Sequence, residues 1–152
     1  MLRSNFFAFA AVIGLTSAAH SQTLELQATC AAQARRAFQE YSAEDKAESA
    51  KFGKLMSTMS IDYRSHYNTK INRCLIVTEK MSSVGAQTST SVNLWDALER
   101  RNYASWLWQS HPTKKYWEVP PLACELSPNY QGKRNCATRE EFDAFVAEYM
   151  EE

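Results

Sequence analysis

The clearest hydrophobic pattern lies near the C-terminal end. Phe142, Phe145, Val146 and Tyr149 fall at i, i+3, i+4 and i+7, one stripe of a helix. Thr138 precedes the stripe, and Glu141 stands three residues after it, the spacing of a capping box. A helix is predicted from just after Thr138 to about Met150, opening close behind Cys136. Residues 24–41 carry a second helical pattern. Ala, Gln, Glu and Arg dominate there, and no Gly or Pro interrupts. Cys30, Ala34, Phe38 and Tyr41 recur at i, i+4, i+8 and i+11, giving one apolar face that carries a cysteine. Residues 42–60 (SAEDKAESAKFGKLMSTMS) are charged, then small and polar. They either continue the helix to Phe52, with Gly53 as its stop, or form a connector.

Between the helices the pattern is that of strands. Residues 74–78 (CLIVT) are apolar and β-branched. Residues 87–92 (QTSTSV) suit an edge or solvated strand. LWDALE has helical composition, but Arg100-Arg101-Asn102 can form a hairpin tip between it and YASWLW, and the hairpin is the preferred reading. Trp106-Leu107-Trp108 reads as strand, and so does YWEV at 116–119 before the Pro120-Pro121 break. Ser110-His111-Pro112 marks a turn. The expected fold is α+β: an N-terminal helix, an antiparallel sheet of four or five strands and a C-terminal helix, with both helices on one sheet face.

The first residues change the cellular setting. Arg3 is followed by an apolar run over residues 6–15, too short to span a bilayer, and then by small residues. Residues 1–21 are expected to be a cleaved secretory signal, cut after Ala19 or Ser21, which leaves residues 22–152 as one domain without a membrane anchor. The chain carries 17 basic and 17 acidic residues, and the signal removes one base and no acid. A balance so close to neutral argues against a nucleic-acid partner, which normally meets a basic surplus.

In an exported chain, four cysteines favour two disulfides. The expected pairs are Cys30–Cys74, where the helix cysteine points into the core, and Cys124–Cys136, which enclose a turn-rich segment. No two cysteines stand two to four residues apart and no histidine sits near a pair at ligand spacing, so neither a metal nor any other cofactor is expected.

The densest polar chemistry is SHYNTKINRC at 65–74. Read as a strand, Ile61, Tyr63, Ser65, Tyr67, Thr69 and Ile71 share the inward face. Asp62, Arg64, His66, Asn68, Lys70, Asn72 and Cys74 share the polar one. That puts Cys74 on the wrong side for a buried bridge, and a turn or bulge at Tyr67-Asn68-Thr69 resolves the conflict. A catalytic reading makes His66 a general base, with Tyr67, Asn68 and Lys70 around it, Lys70 or Arg64 holding an anion, and Asp62 or Glu79 orienting the ring. Against it stand the absence of a G-x-S-x-G turn, of a free thiol once the cysteines pair, and of an H-E-x-x-H motif. A structural histidine is the plainer reading. Together with LWDALERRNYASW, KYWEV and the EEFDAFV helix after the closing cysteine, this block resembles a group of small secreted proteobacterial proteins of uncharacterised function. The resemblance implies an exported protein and mildly supports the cysteine pairing. It implies no activity.

All four tryptophans, Trp95, Trp106, Trp108 and Trp117, fall within one stretch, with Tyr103, Tyr116 and Tyr130 nearby. Large aromatics are ordinary packing in a small β-rich domain, and at most one or two rings are expected at the surface. If a binding face exists, it is expected at Trp106, Trp108, Tyr116 and Trp117, with Lys114 and Lys115 beside it. The favoured function is a periplasmic or secreted non-enzymatic module that binds a protein or an envelope polymer. The alternatives are a small hydrolase or lyase centred on His66, Tyr67 and Lys70, and a purely structural envelope protein.

Overall fold

The computed structural model describes residues 16–52, 56–128 and 132–151. Residues 1–15, most of the expected signal segment, lie outside the described residues, as do Gly53 and Tyr130. The first element, α1 (Thr16–Phe52), runs through both expected cleavage positions and past Tyr41 to Phe52, so the longer helical reading of residues 42–52 holds. Six antiparallel strands follow in sequence order: β1 (Met56–Asn68), β2 (Arg73–Val84), β3 (Gln87–Asp96), β4 (Asn102–Gln109), β5 (Ala123–Leu126) and β6 (Arg134–Asn135). The chain closes with α2 (Arg139–Met150). This is the expected α+β architecture with one short strand more than predicted.

The two helices cover opposite faces of the sheet, which corrects the one-face expectation. Cys74 and Ile76 of β2 pack with Trp95 against Cys30, Ala34 and Ala37 of α1. Leu75 and Val77, the alternate residues of β2, pack with Val92, Leu94, Ala104, Trp106 and Leu126 against Phe142, Phe145 and Val146 of α2. Five consecutive residues of β2, Cys74 to Thr78, are therefore buried. An unbroken apolar run is what a strand covered on both sides requires.

The turn between β1 and β2 resolves the facing conflict in SHYNTKINRC. It occupies Thr69 to Asn72, with Asn72 at φ 54°. Across it Tyr67 pairs with Cys74 and His66 with Leu75. Cys74 thereby faces α1 and meets Cys30, with the two Cα atoms 5.2 Å apart. Asn68, expected in a polar row, is buried. Its amide donates to the Tyr149 carbonyl (3.0 Å), and its Oδ1 accepts the Ile71 N–H (3.0 Å).

Two further expectations are corrected. Residues 87–92 belong to an interior strand: β3 pairs with both β2 and β4, its hydroxyls reach neighbours such as Ser82 (2.9 Å from Ser89), and Val92 enters the core. Residues 116–119 are not strand. The place beside β4 is taken by β5, and Pro120 and Pro121 have no N–H to give a ladder. The chain instead makes a single 3₁₀ turn, Tyr116–Glu118. The hairpin reading of LWDALE is right in kind. However, its turn opens at Ala97, where buried Asp96 accepts the N–H groups of Leu98 and Glu99 (both 2.8 Å), and Asn102 already belongs to β4.

Candidate functional site: an aromatic cleft

Sequence order brings β4, the loop after it and the start of α2 to one end of the molecule. Trp106 and Trp108 alternate with exposed Leu107, so both indoles enter the α2 face of the sheet. Trp106 lies opposite Cys124 of β5. Cys124 is bonded to Cys136 (Cα–Cα 5.1 Å), three residues ahead of α2. That bridge sets the start of α2 beside Trp106, whose ring centroid is 6.0 Å from that of Phe142. Thr138 caps the helix by accepting the Glu141 N–H (3.2 Å). The Glu141 carboxylate reaches back to the Ala137 N–H (3.0 Å), one residue earlier than the capping-box spacing suggests, and also takes Arg134 (2.9 Å).

The third wall is the 3₁₀ turn. Lys115 O accepts the Glu118 N–H (3.0 Å), and the Glu118 carboxylate accepts the Lys115 N–H (2.8 Å). The Trp108 indole donates to the Val119 carbonyl (3.1 Å), and Trp108 and Tyr116 pack with centroids 4.7 Å apart. The loop is thus tied both to itself and to the sheet.

These three walls enclose a cleft of about 330 Å³. Its lining includes Trp106, Trp108, Tyr116 and Trp117, with Glu118, Pro120, Pro121, Arg139 and Glu140 around them. All four residues expected at a binding face therefore meet in one concavity. They contribute unequally. Trp106 and Trp108 are 3 % and 9 % exposed and belong to the core, whereas Tyr116 is 50 % and Trp117 75 % exposed. A tryptophan so open on a small domain is unusual, because burying its ring is worth more than burying almost any other side chain.

Charge around the cleft is unevenly satisfied. The Arg139 guanidinium lies 5.9 Å from both the Trp106 and Phe142 rings, and its Nε is 2.9 Å from each Asp143 carboxylate oxygen. The Lys115 ammonium sits 5.1 Å over the Trp117 ring. Among the described residues, Glu118 and Glu140 make no ion pair. The Trp106 Nε1 is buried and meets no acceptor among them.

The residues of the catalytic alternative do not gather in this way. His66 faces the α2 side with Leu75, and its Nε2 is buried with no partner among the described residues. Tyr67, the next residue, faces α1, where its hydroxyl meets the Asn72 amide. Lys70 lies in the exposed turn. Asp62, Arg64 and Glu79 line a separate shallow depression with Tyr63 and Val77. Adjacent strand residues point to opposite faces, so His66 and Tyr67 cannot serve one centre.

Sequence reasoning missed the contribution of Glu118, the two prolines, Arg139 and Glu140. The available signal was the Cys124–Cys136 pairing, which places the α2 N-terminus next to β4's neighbour. Comparison of the chain with protein-family models, curated proteins and solved structures gives no match.

Proposed function

We propose that this is an exported, disulfide-stapled binding module that holds a segment of a partner, a protein or an envelope polymer, in the aromatic cleft. The observation that carries this reading is the convergence of Trp117 and Tyr116, both open to solvent, on a preformed concavity whose floor is core tryptophan. Rigid aromatic rings at a concave, mostly apolar site are the usual anchors of recognition. A periplasmic or secreted location accords with two disulfides, which persist in oxidising compartments. No helix among the described residues is long and apolar enough to cross a membrane.

The test is capture by cross-linking in the native envelope. Trp106→Ala and Trp108→Ala are unsuitable variants, because emptying a core indole site costs about 3–5 kcal/mol and threatens the fold. Trp117→Ala and Tyr116→Ala remove exposed rings and leave the core intact. The expected result is one dominant partner, lost with Trp117→Ala and retained with His66→Ala. A partner lost with His66→Ala and kept with Trp117→Ala would overturn the reading.

A further inference from the structure

We infer that the occupant of the cleft is an extended, proline-rich segment of a partner protein that carries a basic residue. This rests on the cleft being the binding site, and it names the chemistry that fits there.

The first observation is the indole floor. Trp106 is 3 % exposed and lines the cleft, and its Nε1 has no acceptor among the described residues. An indole nitrogen only donates. The Trp106 Nε1 is itself enclosed, with under 1 Å² open to solvent, so a ligand in the cleft meets the ring and not the donor. The other indole of the cleft, Trp108, is already satisfied by the Val119 carbonyl. The floor thus offers ring surface and no free indole donor, which suits a ligand with flat apolar faces.

The second observation is the wall chemistry. Between the rings stand Val119, Pro120, Pro121 and Ala137, which offer no side-chain polar group. Of the non-aromatic polar side chains in the lining, Thr138 is taken by the helix cap and Arg139 by Asp143, which leaves Glu118 and Glu140. A polyproline II segment presents flat apolar rings and backbone carbonyls, and proline has no N–H to satisfy. Its preformed shape also loses little entropy on docking against aromatic walls.

The third observation is charge. Glu118 and Glu140 line the cleft without cationic partners, while Arg139 is neutralised by Asp143. Lys115 covers one face of Trp117 from outside the lining, so an incoming cation is placed at the carboxylates and not on that ring. An incoming Arg or Lys meets the two carboxylates of the lining, whereas an acidic segment meets repulsion there.

The experiment is fluorescence anisotropy of dye-labelled probes against the disulfide-intact protein. The probes are a peptide of three Arg-Pro-Pro repeats, its Glu-Pro-Pro and Arg-Gly-Ser counterparts, and chitotetraose. The expected result is saturable binding of the Arg-Pro-Pro peptide in preference to the other three. Trp117→Ala should weaken it by about tenfold, as loss of an aromatic anchor does. The Glu118→Gln/Glu140→Gln variant should weaken it and flatten its salt dependence. No saturable signal, equal binding of the Arg-Gly-Ser peptide, or indifference to Trp117→Ala would overturn the inference. Chitotetraose binding that depends on Trp117 would overturn the peptide and leave the cleft as the binding site. Failure of every probe, together with a captured partner indifferent to Trp117→Ala, would remove both.

Discussion

Tyr41 shows how one side chain can carry several duties that its place in a helical stripe does not reveal. Its ring packs on Trp95 (centroids 6.1 Å apart), and its hydroxyl bonds to Thr78, which also accepts the Trp95 indole (3.3 Å). Burial is the main cause that pushes its phenol above the ordinary value of 10.0, with Asp45 adding to the rise; Lys80 and the Thr78 bond pull the other way. The unfolded chain therefore gives up this proton first as the pH rises. The resulting stability is fully present below pH 10 and is lost as the pH climbs through the folded value. Tyr41→Phe has no such proton, so the stability margin of the parent protein over it should shrink between about pH 9 and pH 11. Urea denaturation at the two pH values reads this directly, and a constant margin would contradict it. The apolar side of Tyr41 was legible from the i, i+11 spacing. The polar side was not, because Thr78, Asp45 and Lys80 approach from other elements or other turns.

At the scale of elements, β1 poses the main problem, because it is a long strand at the edge of the sheet. Exposed edges invite pairing with another chain. Here the edge is interrupted three times. The register shifts between Thr58 and Ser60 at exposed Met59, Asp62 accepts the Tyr63 N–H (3.1 Å), and Gln27 of α1 both donates to the Tyr67 carbonyl and accepts its N–H (3.0 Å each). Gln27 thus occupies the place of a neighbouring strand residue. Gln27→Ala should cost about 2 kcal/mol, two hydrogen bonds at roughly 1 each, and should raise self-association. Urea denaturation and size-exclusion chromatography with light scattering would show it, and a monomer of unchanged stability would count against the clamp. The periodicity of residues 24–41 puts Gln27 on the same helix face, three residues before Cys30, but a polar side chain on that face does not announce a strand backbone as its partner.

For the molecule as a whole, each helix has its own staple. Cys30–Cys74 fastens α1 to one face of the sheet, and Cys124–Cys136 fastens the start of α2 beside β5 on the other. Sequence separations of 44 and 12 residues give stabilisations of about 4 and about 3 kcal/mol in the chain-entropy account. The two bridges should also separate by location. Removing the second with paired Cys→Ser changes should speed amide exchange at residues 137–141, along one wall of the cleft. Removing the first should leave those amides as they were. Exchange that rises equally in both variants would show that the bridges do not act locally.

The sequence by itself determined the α+β class, the two cysteine pairs, the extent of α2 and the β2 strand. Each of these rests on local periodicity, capping spacing, or an even cysteine count in a short chain. It also picked out the four aromatic residues that meet in the cleft. Tertiary structure decided the rest. The unbroken run CLIVT is a signal of burial on both faces, but which helix meets which face depends on where the chain turns at Thr69 to Asn72. The strand predicted at residues 116–119 gave way because β5 occupies the ladder beside β4. The carboxylates and prolines around the cleft come from segments about twenty residues apart, joined through a disulfide, a separation that no local pattern spans.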